Sequence, residues 1–291
     1  MPCNLLIEEF RSLAALCTLG VGGPARYFTE VRNADEMAFA FRFAKENKRS
    51  VFLLGKGSNC LFDDRGYNGL VILNKIDFSR FEEPNEIIAG GGYSFSRLGS
   101  YTARNGWSGL EFASGIPGTV GGAVYMNAGA NGHETATTLI SVEFLSDEGE
   151  RKIFSREELA FAYRSSPFHS MSGAILSARF RLQADPAAKR QQQEIVQYRT
   201  STQPYGEASA GCFFVNPRNA SAGSLIDSLG LKGLKVGGAQ ISPIHANFIV
   251  NQGNATAQEI LELSALVKLR VKEAFGHELE QEVRYVPYVP S

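Results

Sequence analysis

From Gly106 to Gly132 the chain reads GWSGLEFASGIPGTVGGAVYMNAGANG, with eight glycines and one charged side chain, Glu111. A segment this long and this apolar does not fit a solvated loop, so its backbone must pack against something. Each ordered glycine loses more chain entropy than any other residue, and Pro117 fixes one bend. Gly115, Gly118, Gly121, Gly122 and Gly129 therefore need a reason, and two stay open. Either the backbone closely approaches a large flat ligand, or backbone elements touch one another.

The 291 residues, 44% of them hydrophobic, suffice for two or three cores at roughly 100 to 150 residues per domain. The 29 basic and 30 acidic residues nearly cancel, which argues against nucleic acid or an anionic membrane as partner. An anionic ligand must be held locally. The start MPCNLLIEEF has no basic n-region, long apolar run or small-residue cleavage site, and no window approaches the roughly 20 apolar residues that span a bilayer. Cys3, Cys17, Cys60 and Cys212 are widely spaced with no CxxC pair, and the four histidines form no HExxH. No disulfide framework and no metal site is legible, and reduced thiols in the cytoplasm are expected.

Asn33 opens a helix with acids in its first turn and Met37, Phe41 and Ala44 on one face. SVFLL (50–54), GLVIL (69–73) and EIIAG (86–90) read as short strands, and Ser94 caps a helix that stops at Asn105-Gly106. GAILSARFRL (173–182) alternates as a half-buried strand with Ala174, Leu176, Ala178, Phe180 and Leu182 on the buried face. The polar run 185–204 marks a domain boundary. Thr256 and Glu259 form a capping box for a helix with the stripe Ile260, Leu263, Val267, Val271 and Phe275, stopped by Gly276, and LEQEVRYV (279–286) alternates like a strand. Helices and strands mix without a βαβα rhythm, so the class is α+β.

GKGSN (55–59) follows a buried strand and invites a phosphate-loop reading. The P-loop pattern fails, because Ser50 stands in place of its first glycine and Gly57 follows Lys56 where a hydroxyl residue is needed. The dinucleotide fingerprint fails as well, with Cys60 in place of its last glycine.

Several blocks taken together resemble the UDP-N-acetylenolpyruvoylglucosamine reductase family: TLGVGGPARYF (18–28), LLGKGSNCLFDD (53–64), ASGIPGTVGGAVYMNAGANGHE (113–134), YRSSPF (163–168), ASAGCFFVNP (208–217), GGAQISPIHANFIVNQGNATA (237–257) and LEQEVRYV. The likeness covers nearly the whole chain in order, and the short link after residue 182 resembles the branch that lacks an extra substrate-covering loop. The resemblance implies a two-part FAD-binding domain of the vanillyl-alcohol-oxidase type plus a smaller α+β substrate-binding domain. Its implied boundaries are 1–64, joined by 278–291, then 65–200, then 201–277 for the substrate domain. It implies a monomer that uses NADPH and FAD to reduce an enolpyruvyl UDP-sugar, with hydride from flavin to the enolpyruvyl group.

Site residues follow from the same resemblance. Gly55, Lys56, Gly57, Ser58 and Asn59 hold the FAD pyrophosphate through backbone amides. Ser114, Gly115, Ile116, Pro117, Gly118, Gly121, Gly122 and Ala123 run along the flavin and its phosphates. Arg164 grips the substrate carboxylate, a task that suits a guanidinium because it makes two parallel N–H bonds and stays charged; a lone Arg after a helix is otherwise a surface residue. Glu282 polarises the carboxylate or holds a proton, against the alternative of a solvated strand residue paired with Arg284. Cys212, where many members carry serine, protonates the carbanionic carbon; an isolated Cys is otherwise core. A thiol with a reference pKa of about 8.5 keeps its proton near neutrality, and Phe213 and Phe214, if they face it, would reinforce that. Asn216 and the run from Gln240 to Asn247 are substrate-facing, Arg199 and Lys235 are diphosphate partners, and His245 is either a contact or a packed histidine. Lys56, Val215 and Asn131 depart from the family pattern, which has Gly, Lys and Tyr at those positions.

Two rival functions share part of this evidence. Another FAD oxidoreductase of the same fold would lack the Arg164, Cys212 and Glu282 set, and a non-catalytic UDP-sugar binder would not exchange electrons.

Overall fold

The computed structural model describes residues 5–82 and 84–290; Cys3 and the first residues of the leader reading lie outside them. The chain forms two compact units. One takes the residues up to Glu8 with Tyr27–Gly55 and Gly69–Arg199, and the other takes Glu9–Arg26, Lys56–Asn68 and Thr200 onward.

The first unit is built on a five-stranded antiparallel sheet ordered Arg151–Ser155, Leu139–Ser146, Gly173–Arg181, Glu86–Gly90 and Ser79–Glu82. Its central strand Gly173–Arg181 is buried on both faces from Ala174 to Ala178, which corrects the half-buried expectation. The reason is that it feeds two cores, Ile175, Ala178 and Phe180 packing into one and Ala174 and Leu176 into the other. One core gathers Phe95, Phe112, Phe144, Phe168 and Phe180. A second gathers Met37, Ala40, Phe41 and Ala44 of the helix Ala34–Glu46 with Leu70, Ile72 and Leu176. Asn33 caps that helix as expected, its side chain accepting from the Glu36 amide at 2.9 Å. Val51–Leu54 pairs in parallel with 70–73 of the strand Tyr67–Asn74 and delivers the chain to Gly55.

The polar run 185–204 contains the helix Ala188–Thr202, of which only Ala188 and Gln192 are buried. It carries no apolar stripe, so no 3.6-residue signal marks it in the sequence.

The second unit carries a four-stranded antiparallel sheet, Ala208–Cys212, Phe248–Asn251, Ala239–Ile241 and Lys235–Val236. The helix Ala257–Phe275 has the expected capping box and ends at Gly276, whose φ of +71° is the left-handed stop. Ile260, Leu263, Val267 and Val271 are buried, whereas Phe275 is exposed. The Asp64 carboxylate adds a second cap, accepting from the amides of Ala257 at 2.8 Å and Gln258 at 3.2 Å. Only Arg284–Val286 of the expected 279–286 strand pairs regularly, in parallel with Cys60–Phe62; upstream, Phe214 and Gln281 form an isolated bridge.

Candidate active site

In the first unit the Gly-rich stretch folds on itself. Thr119 caps the short helix Val120–Tyr125 by accepting from the Gly122 amide at 3.3 Å. A Cβ at Gly55 would stand 2.6 Å from the Thr119 Oγ1, so the end of the 51–54 strand meets the 114–123 segment through a missing side chain. Gly121 donates its amide to the Gly91 carbonyl at 2.8 Å, and a Cβ there would fall 3.0 Å from that oxygen. Backbone touching backbone therefore explains Gly121. The segment 115–118 is different. Gly115 and Gly118 have φ of +83° and +148°, Ile116 is half-buried and Pro117 exposed, and no charged side chain intervenes. Such uncharged, turned backbone fits a flat ring system. Ser96 holds it by accepting from the Gly115 amide at 2.8 Å, while the buried Ser114 pairs with Ser100 at 3.3 Å.

Arg164 sits at the tip of a tight turn closed by reciprocal bonds between Ala162 and Ser165 at 3.1 and 3.0 Å. Its φ is +55°, a conformation costly for a residue with a Cβ. Asn127 anchors the turn from within, donating to the Ala162 carbonyl at 2.9 Å. The guanidinium lies over the Tyr163 ring at 4.9 Å, and its Nη2 donates to the Gly129 carbonyl at 3.2 Å. Arg164 is thus held against the glycine stretch.

In the second unit hydrogen bonds join the segments that carry three expected residues. The strand Ala208–Cys212 shifts register between Ser209 and Cys212 relative to its partner. Gly211, with φ of +77°, supplies the kink, and a bulge of this kind re-aims the side chain that follows it. That side chain is Cys212, which is half-buried, whereas Phe213 and Phe214 are each 1% exposed. The Glu282 amide donates to the Phe213 carbonyl at 2.9 Å and the Val215 amide to the Glu280 carbonyl at 2.9 Å. Cys212 and Glu282 therefore sit on neighbouring extended segments. Asn59 joins them, its Nδ2 donating to the Glu282 carbonyl at 3.2 Å while its own carbonyl accepts from the Arg284 amide at 3.1 Å. Glu282 is half-buried and Arg284 exposed, so the solvated-strand alternative fits Arg284 better than Glu282.

Gly57 keeps the 55–59 loop close to its neighbours, since a Cβ there would come within 2.3 Å of the Leu16 carbonyl. Lys56 is exposed and Ser58 half-buried. Just beyond, Asp63 anchors the parallel pair. It is 6% exposed and accepts from Arg65 Nε and Nη2 at 2.9 and 2.7 Å and from the Tyr285 hydroxyl at 2.7 Å. The Arg65 guanidinium, with help from the Arg65 amide and the Tyr285 hydroxyl, holds this carboxyl far below the usual range despite its burial. Burial, reinforced by Asp63, pushes the Tyr285 phenol up. Burial likewise pushes the Cys17 and Cys60 thiols up, which makes them inert core groups.

Lys235 is exposed and pairs in register with Gln240 at the opposite edge of the four-stranded sheet. Gln240 donates its Nε2 to the Gly233 carbonyl at 3.2 Å. His245 packs edge-on against Phe248 at 4.8 Å, and its Nδ1 accepts from the Asn247 amide at 3.2 Å, as a packed histidine does. Asn216 is exposed and accepts from the Ala222 amide at 2.9 Å. Arg199 is half-buried with its Nε lacking a hydrogen-bond partner. Of the departing positions, Val215 is half-buried and Asn131 is an exposed turn residue with φ of +53°. The sequence reading missed Asp63, Ser96 and Thr119. Only Thr119 carried a signal, as a hydroxyl residue opening a helix.

With this geometry in hand, comparison with known proteins is specific. A family model described as FAD binding domain matches residues 25–155, and one described as UDP-N-acetylenolpyruvoylglucosamine reductase, C-terminal domain, matches residues 203–286. The chain is 55% identical to the UDP-N-acetylenolpyruvoylglucosamine reductase of Protochlamydia amoebophila (strain UWE25), over 98% of this chain and 93% of the relative. It is 48% identical to that of Chlamydia pneumoniae, over 94% and 90%. A solved structure of UDP-N-acetylenolpyruvylglucosamine reductase from Thermus caldophilus matches with a TM-score of 0.82 at 38% identity, covering 98% of this chain and 99% of that one.

Proposed function

Because the chain belongs to the UDP-N-acetylenolpyruvoylglucosamine reductase family, and so is an FAD-dependent oxidoreductase, we propose that it uses NADPH to reduce UDP-N-acetylglucosamine enolpyruvate to UDP-N-acetylmuramate in peptidoglycan precursor synthesis. Bound FAD supplies the hydride chemistry. Of this chain's own groups, the uncharged backbone at 115–118 and the loop 55–59 hold the cofactor. In this reading 1–64 with 278–291 and 65–200 form its two-part domain, and 201–277 receives the sugar. The protein works as a monomer in the cytoplasm.

Each remaining task has a side chain suited to it. Hydride arriving at the terminal carbon of the enolpyruvyl group leaves an electron pair on the adjacent carbon and its carboxylate. Arg164 binds that carboxylate, and its pinned turn keeps the guanidinium from paying ordering entropy at the moment of reaction. Cys212 Sγ transfers its proton to the adjacent carbon, breaking S–H and forming C–H, and the thiolate regains a proton from water. Glu282, on the neighbouring segment, stabilises the charge during this exchange. Arg199 and Lys235 take the diphosphate, and Asn216, Gln240 and His245 face the sugar.

The observation that supports the reading is the bond from the Glu282 amide to the Phe213 carbonyl, which joins the segment of Glu282 to that of the half-buried Cys212 within the C-terminal family match. Anaerobic visible spectroscopy tests it. The yellow protein should bleach on adding NADPH and regain its colour with the enolpyruvyl sugar. A colourless protein, or a bleached one that the sugar leaves unchanged, would refute it.

A further inference from the structure

Given Cys212 as proton donor and Glu282 as the acid beside it, as proposed above, we infer that Asn247 is a positioning residue. Its buried carboxamide stands in for a β-strand and holds the segment after Cys212 in the place where Glu282 pairs with it.

The regular ladder between Ala208–Cys212 and Phe248–Asn251 ends at the pair Cys212 and Phe248. Beyond it the Phe213 amide donates to the Asn247 carbonyl at 2.7 Å. The Phe214 amide then donates to Asn247 Oδ1 at 3.0 Å, and Asn247 Nδ2 donates to the Phe214 carbonyl at 2.8 Å. A carboxamide offers one acceptor and one donor in a plane, like a peptide group, so this side chain makes the two bonds that a facing strand residue would make.

The C=O and N–H of one trans peptide unit point opposite ways. With both Phe214 groups turned toward Asn247, the Phe213 carbonyl and the Val215 amide face the other way. Those are the groups that bind the Glu282 amide and the Glu280 carbonyl. Asn247 thus decides which side of the segment receives Glu282. At 3% exposure it has no surface to offer a substrate, so the geometry moves it out of the substrate-facing run. The His245 Nδ1, accepting from the Asn247 amide, fixes its backbone in turn.

The test follows the two half-reactions separately by rapid mixing on the FAD-loaded protein, comparing wild type, Asn247→Asp, Cys212→Ala and Glu282→Gln. Asn247→Asp keeps the acceptor for the Phe214 amide but sets a carboxylate oxygen against the Phe214 carbonyl. Expected is flavin reduction by NADPH within about two-fold of wild type, and reoxidation by UDP-N-acetylglucosamine enolpyruvate at least about ten-fold slower. The deficit should shrink as pH falls from about 8 to about 6, because a protonated carboxyl regains the lost donor and burial raises its pKa. Reoxidation within two-fold, in a protein that Cys212→Ala and Glu282→Gln both slow, would overturn the inference. Equal slowing of both half-reactions would overturn it too, as a general structural defect. Normal reoxidation in Cys212→Ala and Glu282→Gln would instead bring down the reading of the pair and this inference with it. Should Asn247→Asp not fold, hydrogen exchange on the wild type decides. Protection of the Phe214 amide on a par with Ile249 supports the clamp, and exchange as fast as at exposed residues removes it.

Discussion

Glu282 reaches Cys212 through a single backbone bond, its amide donating to the carbonyl of Phe213 at 2.9 Å, one residue past the thiol. The two segments are thus joined by main-chain geometry, which point substitutions of the Cys212 or Glu282 side chain leave intact. Cys212→Ala should therefore fold and accept electrons from NADPH normally, while reoxidation by the sugar slows by about 100-fold or more, the usual weight of a positioned proton donor. Stopped-flow absorbance on both half-reactions checks this.

Cys212→Ser should retain turnover, because a hydroxyl can give the same proton. The two proteins should part under peroxide. A half-buried thiol climbs to sulfenic acid and a serine does not, so wild type should lose activity with time and the variant should keep it. Residual activity after graded peroxide exposure measures the difference.

Gly55 and Thr119 should behave as one unit. Gly55→Ala places a methyl 2.6 Å from the Thr119 Oγ1, which should cost about 1–3 kcal/mol of stability and loosen flavin. Thr119→Ala alone removes the helix cap at about 1 kcal/mol. The double variant should be more stable than Gly55→Ala alone, because the cap substitution also opens the space. Thermal unfolding and flavin retention of the three variants give the cycle.

Asp63 predicts a pH dependence. Its folded pKa lies below the unfolded value of about 3.9, so its contribution is complete above that value and is lost as pH falls below about 4. Asp63→Asn should then cost about 2 kcal/mol at pH 7. The gap from wild type should begin to narrow by about pH 3 and close only below the folded pKa, as urea unfolding at a series of pH values would show.

Arg164 separates function from stability. Arg164→Gly relieves the positive φ of +55° at the expense of the ring and carbonyl contacts, so stability should stay within about 1 kcal/mol of wild type. Under the role proposed for Arg164, reoxidation by the sugar should nevertheless collapse, with KM rising. Steady-state kinetics alongside thermal unfolding would check both halves.

Local chemistry was what the sequence disclosed best. The caps at Asn33, Ser94 and Thr256 and the stop at Gly276 all appear where read, because a cap is written within four residues. Arg164, Cys212 and Glu282 were legible only through ordered blocks. The closure of Phe213 on Glu282 joins segments about 70 residues apart and has no periodic signature. The resemblance sets Asn247 in a substrate-facing run, whereas the fold buries its carboxamide against Phe214. The helix Ala188–Thr202 stayed hidden for the opposite reason, since its propensity has no apolar face to announce it.

Asn59 waits for its partner across 223 residues of sequence. At cellular synthesis speeds the nascent polypeptide carries that loop unfastened for roughly ten seconds or longer. Chaperones and proteases meet it in that interval, and the arrival of Glu282 works as the latch that closes it.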